Sequence, residues 1–504
     1  MSIKNNIVLF VCVVQLLFFH SLSICVSAER ETVFDRIEAP QHDLVRDIPY
    51  LPPLCDDIPN LKKGFINLPD GASIYYEEEG RGTPLVLISG GPGGTHQGFH
   101  ADFSRMKTCA RVIYYDQRGV GKKSSIDPTG KTYTIQQAVE DLENIRKALR
   151  IKRWVVLGWS YGGLVAQCYA LTYPQQTQGL VLGCSCHGAP RLNTCSREKM
   201  FLSPGEKERI NHIYDLFFAG AINSQQWIYN RFLCGHWKQQ LYYKPENEEA
   251  IRKGLYGWLP AAGFQFLIAQ DKDRIDLTGM FNDFDVPTLV CESTWDLTWD
   301  AVKMEFMKKN HPHAQVEVFE KSGHCVFHDE PDTFFPLLES FIRTSKKSPV
   351  SHLCANRSIW PKRCSDFFCQ VAVTADTKIG LEREKALLNV YNQAVQDNAT
   401  DVRGWSLLAR RLFDLKSERT HTTILDALDH LEQLLNQSNE YSHELLKGKI
   451  IRGHVLDLMG KRAEALVQYQ EALRIHGIVS SLHKNAYEAD KKVLEKCLSE
   501  PFKF

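Results

Sequence analysis

The stretch Val155-Val156-Leu157-Gly158-Trp159-Ser160-Tyr161-Gly162-Gly163 constrains this chain more than any other. An apolar, β-branched run climbs into Gly-x-Ser-x-Gly, and a helix-like segment, Leu164 to Tyr173, follows at once. A sharp turn from strand to helix of this composition is a nucleophile elbow, which holds its serine in a strained backbone conformation. Glycines two before and two after the serine are needed because a Cβ there would collide with neighbouring backbone. The turn pushes the Ser160 hydroxyl beyond the sheet edge. It leaves the Tyr161 amide, at a helix N-terminus, able to stabilise an oxyanion. Such a serine requires a base and an acid that orients the base, and the rest of the chain must supply both.

Read in order, the chain provides a parallel sheet for that turn. Phe65–Leu68 and Ser73–Glu78 alternate around Asp70-Gly71 as a β-hairpin. Pro84 to Ile88 is a fully apolar strand, of the kind a central sheet buries on both faces. It runs into Ser89-Gly90-Gly91-Pro92-Gly93-Gly94, where glycines let backbone amides approach a ligand; the Gly91 amide is the expected second oxyanion donor. Arg111–Tyr115 is another strand, and Ile135–Leu149 has a helical apolar stripe. Strands at Gly179–Gly183, Val286–Cys291 and Val316–Phe319 complete the rhythm, before a closing helix from about Pro331 to Arg343. Strands alternating with helices predict an α/β fold with right-handed crossovers. Between Arg191 and Phe284 the chain is aromatic-rich and helical, which predicts a lid inserted over the serine.

Asp296 and His324 each follow a strand end on the same sheet edge as Ser160. His324 is expected to take the serine proton through one ring nitrogen while Asp296 holds the other. Asp300 is the nearest rival acid. The order Ser160, Asp296, His324 is that of α/β-hydrolases and not of chymotrypsin or subtilisin. A serine nucleophile requires neither a metal nor an organic cofactor, so none is expected.

Bulk properties exclude several classes. Lys+Arg and Asp+Glu are both 60, so nothing favours nucleic acid as a partner. Lys4, the apolar run Ile7 to Phe19 and the small residues of Val26-Ser27-Ala28 predict a signal peptide over residues 1–28 and a secreted or luminal protein. Of 15 cysteines, Cys12 and Cys25 leave with that signal. Cys354, Cys364 and Cys369 are disulfide candidates in an oxidising compartment, and Asn356, Asn398 and Asn436 are glycosylation sequons.

Residues 60 to 345 resemble the proline iminopeptidase (prolyl aminopeptidase) family of α/β-hydrolases. Ser-Gly-Gly-Pro-Gly-Gly at 89–94 is similar to that family's His-Gly-Gly-Pro-Gly-Gly. Tyr115-Asp116-Gln117-Arg118-Gly119-Val120-Gly121-Lys122-Lys123-Ser124 is similar to its Tyr-Asp-Gln-Arg-Gly-x-Gly-x-Ser, with one residue inserted. The resemblance implies a peptidase that releases an N-terminal residue, typically proline, from short peptides under a helical lid. Ser89 replaces the usual histidine. Leu297 stands where some members carry a glutamate that grips the substrate amino group. Glu292, Glu206, Glu208, Asp271 and Asp273 are the candidates to replace it.

The reading therefore divides the chain into a signal (1–28), an α/β-hydrolase domain (29–344) with its lid at about 191–284, a linker (345–377) and a helical domain (378–504). In the last part Leu387, Tyr391 and Ala394, then Trp405, Leu408, Ala409 and Leu412, then Ala465, Tyr469 and Ala472, recur at helical spacing. This resembles tetratricopeptide repeats, an all-α solenoid. It is expected to serve a protein partner or self-association, its linker allowing separate movement; the alternative is that it packs near the lid and limits substrate length. The alternatives to a peptidase are a carboxylic-ester hydrolase of the same fold and a non-catalytic binding protein.

Overall fold

The computed structural model describes residues 61–121, 123–185, 188, 202–235, 260–296, 301–356, 358–438, 443–482 and 488–504. The expected signal peptide, Leu297, Asp300 and two stretches of the expected lid (191–201 and 236–259) lie outside the described residues. Everything described belongs to one compact unit, Asp47–Phe504.

The hairpin forms as the alternation requires: β1 (Lys62–Asn67) pairs antiparallel with β2 (Ser73–Gly80), Phe65 opposite Tyr75. The apolar runs become β3 (Thr83–Ile88), β4 (Ala110–Tyr115), β5 (Trp154–Trp159), β6 (Thr177–Gly183), β7 (Thr288–Ser293) and β8 (Gln315–Phe319). They lie in the order β1-β2-β4-β3-β5-β6-β7-β8, and all pairs beyond β2 and β4 are parallel. Period-two alternation divides their side chains between two cores. Val86, Ile88, Val156, Leu180 and Leu182 face one core, and Leu85, Leu87, Val155, Leu157 and Val181 face the other. The first core is covered by α2 (Ile135–Ala148) and α3 (Tyr161–Thr172), the second by α1 (Gln97–Phe103). Every residue of α3 is buried, which its mostly apolar sequence allows, the polar Gln167 and Thr172 bonding to the helix's own carbonyls.

Chain order reverses at β3, which lies between β4 and β5. The crevice beyond the strand ends at such a reversal is where open α/β sheets place ligands. The loop at 89–94 and the Ser160 turn leave β3 and β5 side by side there, with Ile88 in register with Gly158.

The described part of the segment expected to form a lid consists of α4 (Pro204–Phe218), α5 (Ser224–Leu233) and α6 (Phe264–Lys272). Downstream come α7 (Ala301–Asn310), α8 (Val326–Asp329) and α9 (Pro331–Ser345), the last covering the second core with Phe334, Phe335 and Leu338.

The C-terminal part is helical: α10 (Asp366–Thr377), α11 (Gly380–Gln396), α12 (Val402–Asp414), α13 (His421–Ser438), α14 (His443–Leu458), α15 (Arg462–Leu482) and α16 (Glu488–Ser499). Each packs on the next. Small residues permit close approach, since a Cβ on Gly453 would lie 2.3 Å from the ring of Tyr469. The stretch expected to be a free linker is strapped to the sheet domain. The amide of Asn356 donates to the Leu171 carbonyl (3.0 Å) and Arg153 donates to the Ser348 carbonyl (3.2 Å). Its last third is α10, which lies on the lid: Asp376 accepts from the Gly263 amide at the start of α6 (2.7 Å), and Phe368 stacks on Phe266. Lid and C-terminal helices share one apolar cluster, so burial opposes the expected independent movement. Cys354, Cys364 and Cys369 are free thiols. Cys354 is exposed while Cys369 is buried in α10, so they face different surroundings.

Candidate active site

Ser160 has φ 56° and ψ −121°, outside the regions an L-residue prefers. Three contacts enforce that strain. The Ser160 amide donates to the Gly183 carbonyl (2.8 Å). A Cβ on Gly158 would lie 2.2 Å from the Gly162 carbonyl oxygen, and one on Gly162 would lie 2.2 Å from that of Ile88. Both glycines are therefore dictated by backbone packing, as the motif implies. Tyr161 opens α3, and its hydroxyl reaches Gln117 Oε1 (3.4 Å).

The glycine loop abuts this turn through Gly90, the residue before the expected oxyanion donor Gly91. A Cβ on Gly90 would lie 2.9 Å from Ser160 Cβ. Ser89, which replaces the family's histidine, donates its hydroxyl to the Thr95 carbonyl (3.0 Å) and so closes the loop on itself. Gln117 donates to the Ser89 carbonyl (3.4 Å), linking the loop to the Tyr161 hydroxyl.

Asp296 follows β7 and His324 follows β8, as their spacing from the strands requires. His324 Nδ1 and Asp296 Oδ2 are 2.7 Å apart, and Asp296 is buried. The two loops are stitched together: the Trp295 amide donates to the Ser322 carbonyl (3.2 Å) and the Ser293 hydroxyl to that of Gly323 (2.5 Å). Trp159 Nε1 donates to the His324 carbonyl (2.8 Å), which ties the histidine loop to the residue before the serine. Sequence reasoning missed this role for Trp159, because the x positions of the motif carry no signal. Nor did it place Cys184 beside the pair, where its sulfur lies with the Asp296 and His324 ligand atoms inside a 4.8 Å group. Burial, helped by the Asp296 carboxylate, holds that thiol protonated, well above its usual range.

Residues 83–211 match the family model described as the alpha/beta hydrolase fold. A proline iminopeptidase of Lactobacillus delbrueckii subsp. bulgaricus is 30% identical over 273 residues, which are 51% of this chain and 89% of that enzyme. The chain belongs to the α/β-hydrolase family. The proline iminopeptidase of Heyndrickxia coagulans is 26% identical over 297 residues, 56% of this α/β-hydrolase and 99% of that enzyme. Among solved structures, a proline iminopeptidase-related protein of Thermus thermophilus has 22% identity and a TM-score of 0.44, covering 56% of this chain and 97% of its own.

The Tyr-Asp-Gln-Arg-Gly stretch of this α/β-hydrolase is scaffolding. Arg118 makes a bidentate pair with Asp141 (2.9 and 2.8 Å) and contacts Asp70 at 2.7 Å, joining α2 to the hairpin turn. The acids expected to replace the missing glutamate are engaged or exposed. Glu206 completes a capping box with Ser203. Asp271 accepts from the Ile135 amide (2.8 Å) and from Arg274 (3.0 Å). Fully buried Glu292 sits 3.4 Å from Lys303 Nζ. Glu208 and Asp273 are exposed.

Proposed function

We propose that this chain is a serine hydrolase of the secretory pathway that releases an N-terminal residue, proline or similar, from short peptides. The observation that carries the reading is the His324–Asp296 pair at 2.7 Å, tied through Trp159 to a serine in a strained turn. Ser160 Oγ attacks the scissile carbonyl carbon and gives its proton to His324 Nε2. Asp296 holds Nδ1–H and stabilises the imidazolium. The oxyanion accepts from the amides of Tyr161 and Gly91, which need no reorganisation in a rigid loop. As the C–N bond breaks, the leaving amine takes the proton from Nε2 and an acyl-enzyme remains. Water then attacks that ester with His324 again the base, restoring Ser160 and the free residue. Similarity to proline iminopeptidases supports the amide substrate.

The engagement of Glu206, Asp271 and Glu292 favours a second reading, a carboxylic-ester hydrolase that needs no grip on an amino group. Proline-naphthylamide and a short-chain p-nitrophenyl ester separate the two. Turnover of both supports the peptidase, whereas ester turnover without amide turnover sinks it. Failure of a fluorophosphonate to label Ser160 in folded protein removes both.

A further inference from the structure

Behind the glycine loop, on the side of the sheet away from the α3 core, lies a buried group that the hydrolytic chemistry does not use. Glu77 points from β2, His96 precedes α1, and His100 sits one helical turn on, the i, i+4 spacing that puts two side chains on one face. All three are buried, His100 with no exposure at all. Their ligand atoms lie within 4.8 Å of one another.

We propose that Glu77, His96 and His100 form a structural site for a divalent transition metal, zinc being the ion that best fits two imidazoles and a carboxylate. Three observations carry it. His100 Nε2 and Glu77 Oε2 are 2.7 Å apart yet not aligned as a hydrogen bond, and both are left without a hydrogen-bond partner. A proton must lie near the line joining donor and acceptor, whereas an ion beside that line receives a lone pair from each. A buried polar group left unpaired is costly, and an ion is one of the standard explanations for such an atom. Second, His96 presents Nε2 to Glu77 Oε1 at 3.5 Å, while its Nδ1 is held 2.7 Å from Asp116 Oδ1. A carboxylate behind the outer ring nitrogen is the usual support of a metal-ligating histidine, since it fixes the tautomer and the ring plane. His100 is likewise fixed, by stacking on Tyr114 at 3.7 Å. Third, the buried carboxylates of Glu77 and Asp116 both face the two imidazoles, so the group calls for positive charge, which a divalent ion supplies. Nitrogen ligands disfavour magnesium and calcium.

The ion would join β2, the start of α1 and, through Asp116, the end of β4. Thr95 and His96 directly follow the loop at 89–94, so the site would brace the backbone that abuts Ser160 from behind. It is a positioning device and takes no part in proton transfer.

The test uses the full, untagged chain. Protein made with zinc supplied and then dialysed is assayed for metal by plasma mass spectrometry, and a cobalt-substituted sample by visible absorption. The expected result is about one ion per chain, with cobalt ligand-field bands and no thiolate charge-transfer band. Thermal unfolding is expected to fall after prolonged chelation. Folded protein holding less than about a tenth of an equivalent overturns the proposal. So does a thiolate band, which would place the ion at Cys184, Asp296 and His324 instead. Glu77→Gln and His100→Ala should each lose the cobalt bands; a folded variant of either that keeps them refutes the ligand set. Because metal content is read without substrate, these outcomes are independent of whether the enzyme cleaves amides or esters.

Discussion

Arg383→Met tests whether the C-terminal helices hold the lid. Arg383 is buried on α11 and donates only to backbone carbonyls: Nε to Lys378 (2.7 Å), Nη1 to Phe217 (3.2 Å) and Nη2 to Ile222 (3.3 Å). Phe217 lies in the last turn of α4, at the negative end of its dipole, where its carbonyl also accepts from the Gly220 amide (3.1 Å). Burial, with Arg411 nearby, lowers the Arg383 pKa to about 10, which still leaves it charged at neutral pH. Methionine keeps the apolar stem and removes the donors. Losing the two lid bonds, each worth about 1.5–3 kcal/mol for a charged donor, should cost about 3–4 kcal/mol after partial solvation of the exposed carbonyls. A chain of this size need not unfold in two states, so hydrogen exchange of α4 peptides is the suitable assay. At about 1.4 kcal/mol per decade, protection there should fall by two to three powers of ten. The strands β3 and β5 serve as the internal reference and should exchange as before. Unchanged α4 protection in folded Arg383→Met would show that the lid is held by its own packing, and the argument would fail.

Ser160→Ala should fold normally and lose several powers of ten in turnover, checked against thermal unfolding of the same sample. Asp296→Asn should cost about 10⁴ in kcat through the wrong histidine tautomer; a near-normal rate would mean that another carboxylate orients His324. Gly158→Ala places a Cβ 2.2 Å from a carbonyl oxygen, so soluble yield or melting temperature should collapse, and a stable variant would refute the close packing of the turn. His454 is buried, stacked on Phe502, and burial lowers its pKa from 6.5 to about 4. It is neutral in the fold, so its contribution is intact above pH about 6.5 and is lost as pH falls toward 4. The cost reaches about 3 kcal/mol at the acid end. His454→Phe should blunt that acid loss in chemical denaturation of the C-terminal helices.

What the sequence made legible was whatever local chemistry enforces. The eight strands, the elbow, and Asp296 and His324 beyond their strand ends all follow from short patterns in which a glycine, an apolar run or a polar residue has one workable place. Gly158 and Gly162 could be read because no other residue fits against the backbone around them. The Trp159 contact to the His324 carbonyl could not, since it joins residues far apart in sequence through a position where many side chains serve. The same holds for Glu77, His96 and His100. Each looks like an ordinary polar residue of a strand or a short helix, and only the pairing of β2 with β4 brings them together.

The C-terminal region shows the limit most clearly. Helical spacing in Trp405, Leu408 and Leu412 specifies a buried face but not what covers it, and a free solenoid and a docked one share the same pattern. The deciding residues were polar ones. Asp376 accepts the Gly263 amide, and the Gly380 amide donates to the Gly220 carbonyl (2.8 Å). Both bonds join the helical region to glycines at positive φ, one opening α6 and one just after α4. Such a backbone amide or carbonyl is obliged to find a partner once buried, and here the partner comes from more than a hundred residues away. Detaching the region would therefore expose the aromatic face of α6 and strand these groups together. Its docking is thus a condition of the order of α4 and α6, and any role it has in binding a partner must be compatible with holding those helices in place.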